Sequence, residues 1–318
     1  MIYCKRIVAW LVFLAGLVGI LFLVSRVFVP KNNDSASGME QVRANGILAE
    51  APNSIDVLML GDSEAYTSFS PLLLWNKTGY TSYTCGTNSQ RLPYTKIMLE
   101  RALKKQRPKL VILETLAIYR PIKADHIASE EVSRYLPVFR YHNRWKSLQL
   151  NDFSTAPITA TEHAPYKGHA HNKKVDPCQN VDYMDPTEQP VSVPLINQYY
   201  VRAIQELCER HGAKLLLLST PSPVNWSYAR HAGIEAFAAQ IGCDYLDLNL
   251  EQDKVNIDWT KDTFDKGDHL NHFGAVKVTS FLADYLKNRG GLTDHRGDSA
   301  YQSWEEAWQN YALLLKKD

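Results

Sequence analysis

Short apolar runs separated by polar, turn-rich connections recur along most of the chain. Ile55–Leu60, Ser82–Thr84, Lys109–Glu114, Lys214–Ser219 and Tyr245–Leu248 have the length and bounding residues of β-strands. Two of them, Leu110-Val111-Ile112-Leu113 and Leu215-Leu216-Leu217-Leu218, do not alternate, as expected of strands covered on both faces. Helical segments lie between them, at Arg91–Gln106, Leu195–His211, Tyr228–Ile241 and Ala275–Asn288. Alternating strands and helices predict an α/β fold, a three-layer αβα sandwich around a mainly parallel five-stranded sheet. No internal repeat is visible.

Several stretches depart from that rhythm. Ile7–Ser25 is unbroken apolar or small, long enough to cross a bilayer core and longer than a signal-peptide core. No small-x-small cleavage site follows closely, Ser35-Ala36-Ser37-Gly38 being the nearest, so residues 1–30 are expected to form an uncleaved transmembrane anchor. Lys5 and Arg6 on one side and Arg26 and Lys31 on the other give little positive-inside asymmetry. Economy of topology favours a single-pass protein with its folded part outside the cell. Residues 31–52 are polar and rich in small side chains and read as a stalk. The α/β domain then spans 53–290, with an irregular insert at about 121–193, and a helical extension occupies 291–318, around Trp304–Leu315. The insert is rich in His, Tyr, Asn and Pro, the composition of a lid or a substrate-binding segment rather than of disorder.

Composition narrows the classes. Among 318 residues, 35 Lys and Arg balance 34 Asp and Glu, so no net field draws the chain to nucleic acid. The 17 Tyr and 7 Trp suit either a carbohydrate-facing surface or an ordinary aromatic core. Cys85, Cys178, Cys208 and Cys243 follow the anchor and allow two disulfides or buried free thiols. No cysteine or histidine spacing suggests a metal, and His126, His163, His169 and His171 lack ligand-like intervals.

The chemistry concentrates at two places. Gly61-Asp62-Ser63 ends the first strand, putting a hydroxyl at the carboxyl edge of the sheet, where open α/β folds bind ligands. The same tripeptide also reads as a turn and a helix cap. Far downstream, Asp265-Lys266-Gly267-Asp268-His269 supplies an imidazole with two carboxylates nearby. A serine needs such a base to become a nucleophile. Asp265 is the preferred orienting acid, because adjacent side chains diverge and Asp268 neighbours His269 directly. A plain polar loop capped by Asp268 is the alternative.

Together these residues resemble the SGNH/GDSL hydrolase superfamily, whose fold is of the flavodoxin-like kind. Its first block matches Gly61-Asp62-Ser63, its second matches Gly86 after strand two, and its last matches His269-Leu270-Asn271-His272-Phe273-Gly274. The resemblance spans Ile55 to Leu286 and leans towards membrane-anchored members, similar to the SGNH protein of teichoic-acid D-alanylation. It implies Ser63 as nucleophile, His269 as base, and the amides of Ser63 and Gly86 as oxyanion donors. Two departures stand out. The Asp265-to-His269 interval is one residue longer than the family's Asp-x-x-His, and the third block, with its asparagine donor, is replaced by Glu114-Thr115-Leu116. Asn88 is the nearest substitute donor. Glu114, Asn225, Trp226, His142 and Asn271 are candidate substrate contacts, with Arg140, Arg144 and Trp145 beside His142 in the insert.

The resemblance implies a serine esterase or O-acyltransferase acting on acyl esters of a cell-surface polysaccharide or teichoic-acid-like polymer. It needs no cofactor, and as a transferase would work with an integral-membrane acyltransferase. A catalytically inert SGNH fold that binds glycan or scaffolds an envelope complex is the rival expectation. A soluble secreted lipase is a weaker one.

Overall fold

The computed structural model describes residues 2–155 and 157–317. In chain order the main elements begin with helix α1 (Ile2–Phe28), strand β1 (Val57–Gly61), helices α2 (Ser63–Ser68) and α3 (Pro71–Thr78), and strand β2 (Ser82–Gly86). Helix α4 (Leu92–Leu103), strand β3 (Leu110–Glu114), helices α5 (Ala124–Tyr135) and α6 (Leu195–Arg210), and strand β4 (Lys214–Ser219) follow. Helix α7 (Tyr228–Ile241), strand β5 (Asp244–Asp247), and helices α8 (His272–Arg289) and α9 (Gln302–Lys317) complete the set. The chain divides into two units. Met1–Val42 with Lys123–Glu162 makes one, and Arg43–Ile122 with His163–Asp318 makes the other.

The larger unit is built on a five-stranded sheet in the order β2-β1-β3-β4-β5, with every neighbouring pair parallel. Val57, Met59, Leu110, Ile112, Leu216 and Leu218 point to one face, against Phe69 after α2, Leu74 of α3, and Val278 and Leu282 of α8. The alternate residues Leu58, Leu60, Val111, Leu113 and Leu217 face the other side and are equally buried. There α4 and α6 pack on each other and on β1 and β4. Burial on both faces is why these strands read as continuous apolar runs. This is the three-layer αβα sandwich.

Strand order positions the site. From β1 the chain steps outward to β2 and then crosses back to β3 on the opposite flank of β1. In open α/β folds such a reversal marks the ligand crevice, here at the carboxyl ends of β1 and β3.

The smaller unit holds α1 and α5. At about 1.5 Å per residue, the 27 residues of α1 exceed the roughly 30 Å of a hydrocarbon core. The helix is long and apolar enough to cross a membrane, with none of its apolar window buried in the protein. Arg144 ties this unit together, donating to the Phe28 carbonyl at 2.6 Å and to Asp152 at 2.7 Å.

Two local expectations need correcting, and the open alternative for the cysteines is decided. The 121–193 stretch is not uniformly irregular: it contains α5, and it divides at residue 162. Its second part is an extended strap across the larger unit, with Ala170 donating to the Tyr66 carbonyl and Cys178 to that of Trp259. The 31–52 stretch is likewise not all stalk. Ala44 and Ile47 are buried, and the Tyr83 hydroxyl donates to the Arg43 carbonyl at 2.8 Å, so residues 43–48 cover β2. None of the five cysteines is in a disulfide, and burial pushes the Cys208 thiol up to about 12, so it is an inert apolar filler.

Candidate active site

β1 delivers its last residues into a tight corner. A Cβ on Gly61 would lie 2.7 Å from the Glu114 Cβ and 2.8 Å from the Ala65 Cβ, so only glycine lets the chain turn there. Asp62 caps α2 by accepting the Glu64 N–H at 3.0 Å, and its other oxygen binds the Arg120 guanidinium. Ser63 is therefore the first residue of a helix whose entry is fixed from both sides.

His269 arrives on a loop closed by the Thr263–Leu270 bridge and turned at Lys266 and Gly267, both with positive φ. A Cβ on Gly267 would also press on Pro223 at 2.7 Å. Asp265 grips His269 twice: one oxygen accepts the His269 backbone N–H at 2.7 Å, the other meets ring Nδ1 at 2.6 Å. The nearer Asp268 oxygen is 3.7 Å from Nδ1. With Nδ1 held by Asp265, Nε2 is the basic nitrogen. Burial alone would lower the imidazole pKa. The Asp265 hydrogen bond and the charges of Asp268, Asp265 and Asp62 outweigh it and hold the pKa above the ordinary histidine value.

Contacts on both neighbours of Ser63 tie the two segments together. Asp62 lies within electrostatic range of His269. Glu64 accepts from Asn225 Nδ2 at 2.7 Å, and the same amide donates to Asp268. One carboxyl oxygen each of Glu64 and Asp268 and one ring nitrogen of His269 lie within 4.8 Å of one another. Nucleophilic acyl transfer needs a hydroxyl, an imidazole with a basic Nε2 and a carboxylate on Nδ1; the last two meet here, and Asn225 links their loop to the residue after Ser63.

The other sequence candidates fall into distinct places. Gly86 ends β2 beside Gly61, and a Cβ there would sit 2.8 Å from the Asp62 carbonyl oxygen. Asn88 is exposed beside α2, its Oδ1 accepting from the Tyr66 hydroxyl, which leaves Nδ2 to donate. Glu114, expected to touch substrate, is only 1% exposed, and both its oxygens accept the Leu116 N–H at about 3 Å. It shapes the corner beneath the crevice. Trp226 is buried too, donating to Asp247 at 2.9 Å. Asn271 is the cap of α8, accepting from Phe273 N–H at 2.9 Å. His142 lies in the smaller unit, its Nδ1 3.0 Å from the Phe139 carbonyl oxygen, and Arg140, Arg144 and Trp145 lie there with it. Of the proposed substrate contacts, only Asn225 hydrogen-bonds to the residues flanking Ser63 and His269.

Glu64 and Arg120 are the charged residues here that no sequence motif singles out. Asp62, Glu64 and Glu114 form a buried group of carboxyls beside a single guanidinium, Arg120. Burial, with repulsion from Glu114 and Asp62, pushes Glu64 well above the carboxylate range. Burial and Asp62 do the same to Glu114. Burial also raises Asp62, with Arg120 opposing. A glutamate directly after the serine, at the end of an all-apolar strand, is the one sequence signal that pointed to them.

No protein-family model and no curated protein matches the chain. Among solved structures it is similar to a GDSL-like lipase from Bacteroides thetaiotaomicron, at 12% identity and TM-score 0.39, covering 78% of this chain and 100% of that one. It is also similar to a lipase/acylhydrolase from Enterococcus faecalis, at 10% identity and TM-score 0.39, covering 76% and 98%. Likeness of that degree is one of chain path, and the chemistry must be argued from the residues themselves.

Proposed function

We propose that this chain is a serine esterase or O-acyltransferase with Ser63 as nucleophile, His269 as base and Asp265 as its orienting acid. The observation that carries the reading is the 2.6 Å contact of His269 Nδ1 with Asp265, on a loop linked through Asn225 to the residue after Ser63. Ser63 Oγ attacks an ester carbonyl carbon while His269 Nε2 takes its proton. The tetrahedral oxyanion meets the amides of Ser63 and Gly86 and the side chain of Asn88. The ester C–O bond breaks, His269 returns the proton to the departing alcohol, and an acyl-Ser63 remains. Water or a sugar hydroxyl then attacks the acyl carbon, giving its proton to His269; the acyl–Oγ bond breaks, His269 returns the proton to Ser63 Oγ, and the acid or the new ester leaves.

The proposal extends to setting and substrate. Helix α1 is the anchor of a single-pass membrane protein whose larger unit lies outside the cell. The acyl esters belong to a cell-surface polysaccharide or teichoic-acid-like polymer, with an integral-membrane acyltransferase as partner if the reaction is a transfer. The motif resemblance and the apolar helix support this.

The test is mass spectrometry of the full-length, detergent-solubilised protein after a fluorophosphonate probe, in which the serine oxygen displaces fluoride from phosphorus. Labelling at Ser63 that disappears in Ser63→Ala and His269→Ala is the expected result. A folded, monodisperse protein that takes up no probe would overturn the enzyme and favour the inert, glycan-binding alternative.

A further inference from the structure

Glu64 is the least expected residue of the crevice. It sits one position after Ser63, is 1% exposed, and has no cation as partner. Its Oε1 accepts from Asn225 Nδ2 at 2.7 Å, but its Oε2 is buried with no hydrogen-bond partner at all. The carboxyls of Glu114, Asp62 and Asp268 all disfavour its charge, the His269 ring lies within 4.8 Å but is held by Asp265, and the guanidinium of Arg120 is taken by Asp62. A buried carboxylate oxygen without a partner costs far more than a buried neutral hydroxyl.

Resting on the serine-enzyme reading, we propose that Glu64 serves as a neutral carboxylic acid that positions His269. Its carbonyl oxygen anchors one hydrogen of the Asn225 amide, which also holds Asp268, the residue before His269. Asn225 is itself fixed, its backbone N–H donating to Ser222 Oγ at 3.2 Å while that hydroxyl donates to the Gly267 and Asp268 carbonyls at 3.0 Å. The chain of contacts therefore runs from the serine's helix to Gly267 and Asp268, just before the imidazole. Neutrality is essential to it. A second negative charge within 4.8 Å of Asp268 would push the clamp apart and trap the imidazole as its cation. The raised pKa of Glu64 fits the same picture.

Glutamine reproduces the neutral acid's carbonyl, and alanine does not, so the variants separate. In full-length protein, Glu64→Gln should label at Ser63 within about threefold of wild type, with the pH dependence of labelling unmoved. Glu64→Ala should lose about 10²-fold, the usual result of a misplaced catalytic group. Infrared difference spectra of wild type against Glu64→Gln at pH 7 give a second readout independent of activity and of the alanine variant's folding. A protonated-carboxyl C=O band confined to wild type is expected. Its absence, or a glutamine variant that loses as much as alanine or shifts its labelling to lower pH, overturns the proposal. If wild type shows the band yet takes no probe, Ser63 fails as nucleophile while the neutral Glu64 stands.

Discussion

Two histidine–aspartate pairs occupy the same end of the sheet, and they have opposite characters. His269 meets Asp265 at 2.6 Å on a loop, and its ring is partly open to solvent. His231 on α7 meets Asp247 at the end of β5 at 2.9 Å, with both side chains buried. The Asp247 carboxylate also accepts from Trp226, Tyr245 and Asn249, all at 2.7–2.9 Å. Hydroxyls adjoin that second pair, but they are spent on one another: Thr115 with Ser219 at 2.6 Å, and Ser219 with Tyr245 at 2.9 Å. Both imidazoles are held above the ordinary histidine pKa by their carboxylates against the opposing effect of burial. A perturbed His–Asp pair is thus not by itself a mark of catalysis. The difference lies in the setting: one pair stands on a loop that Asn225 links to the helix of Ser63, while the other closes a network that holds β4, β5 and α7 together.

The two pairs should respond oppositely to loss of their imidazoles. His269→Ala should abolish Ser63 labelling, whereas His231→Ala should leave the labelling of folded protein within about threefold. Asp265→Asn should lower the labelling rate by about 10⁴-fold, as expected when the orienting acid no longer selects the tautomer. Labelling of wild type should also rise with pH through a midpoint above about 6.5, the ordinary histidine value. An activity that instead falls across neutral pH would refute the raised imidazole. Asp247→Ala should cost about 3–5 kcal/mol of stability, read by denaturant titration, because it strands several buried donors. Glu114→Gln addresses the carboxyls beneath the serine. A carboxyl whose folded pKa is raised holds its proton after the unfolded chain has lost one, so stability is full below about pH 4.3 and declines as pH climbs towards the folded value. Wild-type Tm should therefore fall from pH 5 to pH 8, and the glutamine variant should flatten that slope. The smallest effect is expected of Asn271→Ala, about 1 kcal/mol for a lost helix cap, with no change in the midpoint of the labelling profile.

The legibility of the sequence follows from the same physics. β3 and β4 are plain because both faces are buried, which forces an uninterrupted apolar run. α5 was invisible: of its residues only Ser133 is buried, so no apolar stripe announces the helix. Ser63, His269 and Asp265 stood out because their spacing from a strand end and a helix start is local. Glu64 and Arg120 did not, because their meaning lies in partners 161 residues away at Asn225 and 58 away at Asp62. Asn271 and Trp226 were misread as substrate contacts for the converse reason. Polar groups near a motif look functional until their buried partners are seen.

The split course of the chain has a practical consequence for anyone wanting this protein in soluble form. Residues 123–162 lean on the end of α1, with the Ser25 hydroxyl accepting from Val138 N–H at 3.2 Å and the Phe28 carbonyl capped by Arg144. Trimming the polypeptide just before Arg43 removes the apolar helix and also strips that loop of its support. The excised form would carry an orphaned Arg144–Asp152 pair and an exposed underside on a segment embedded between β3 and α6. A detergent-solubilised full-length preparation avoids that injury, and a cut upstream of Ser25 is the gentler compromise.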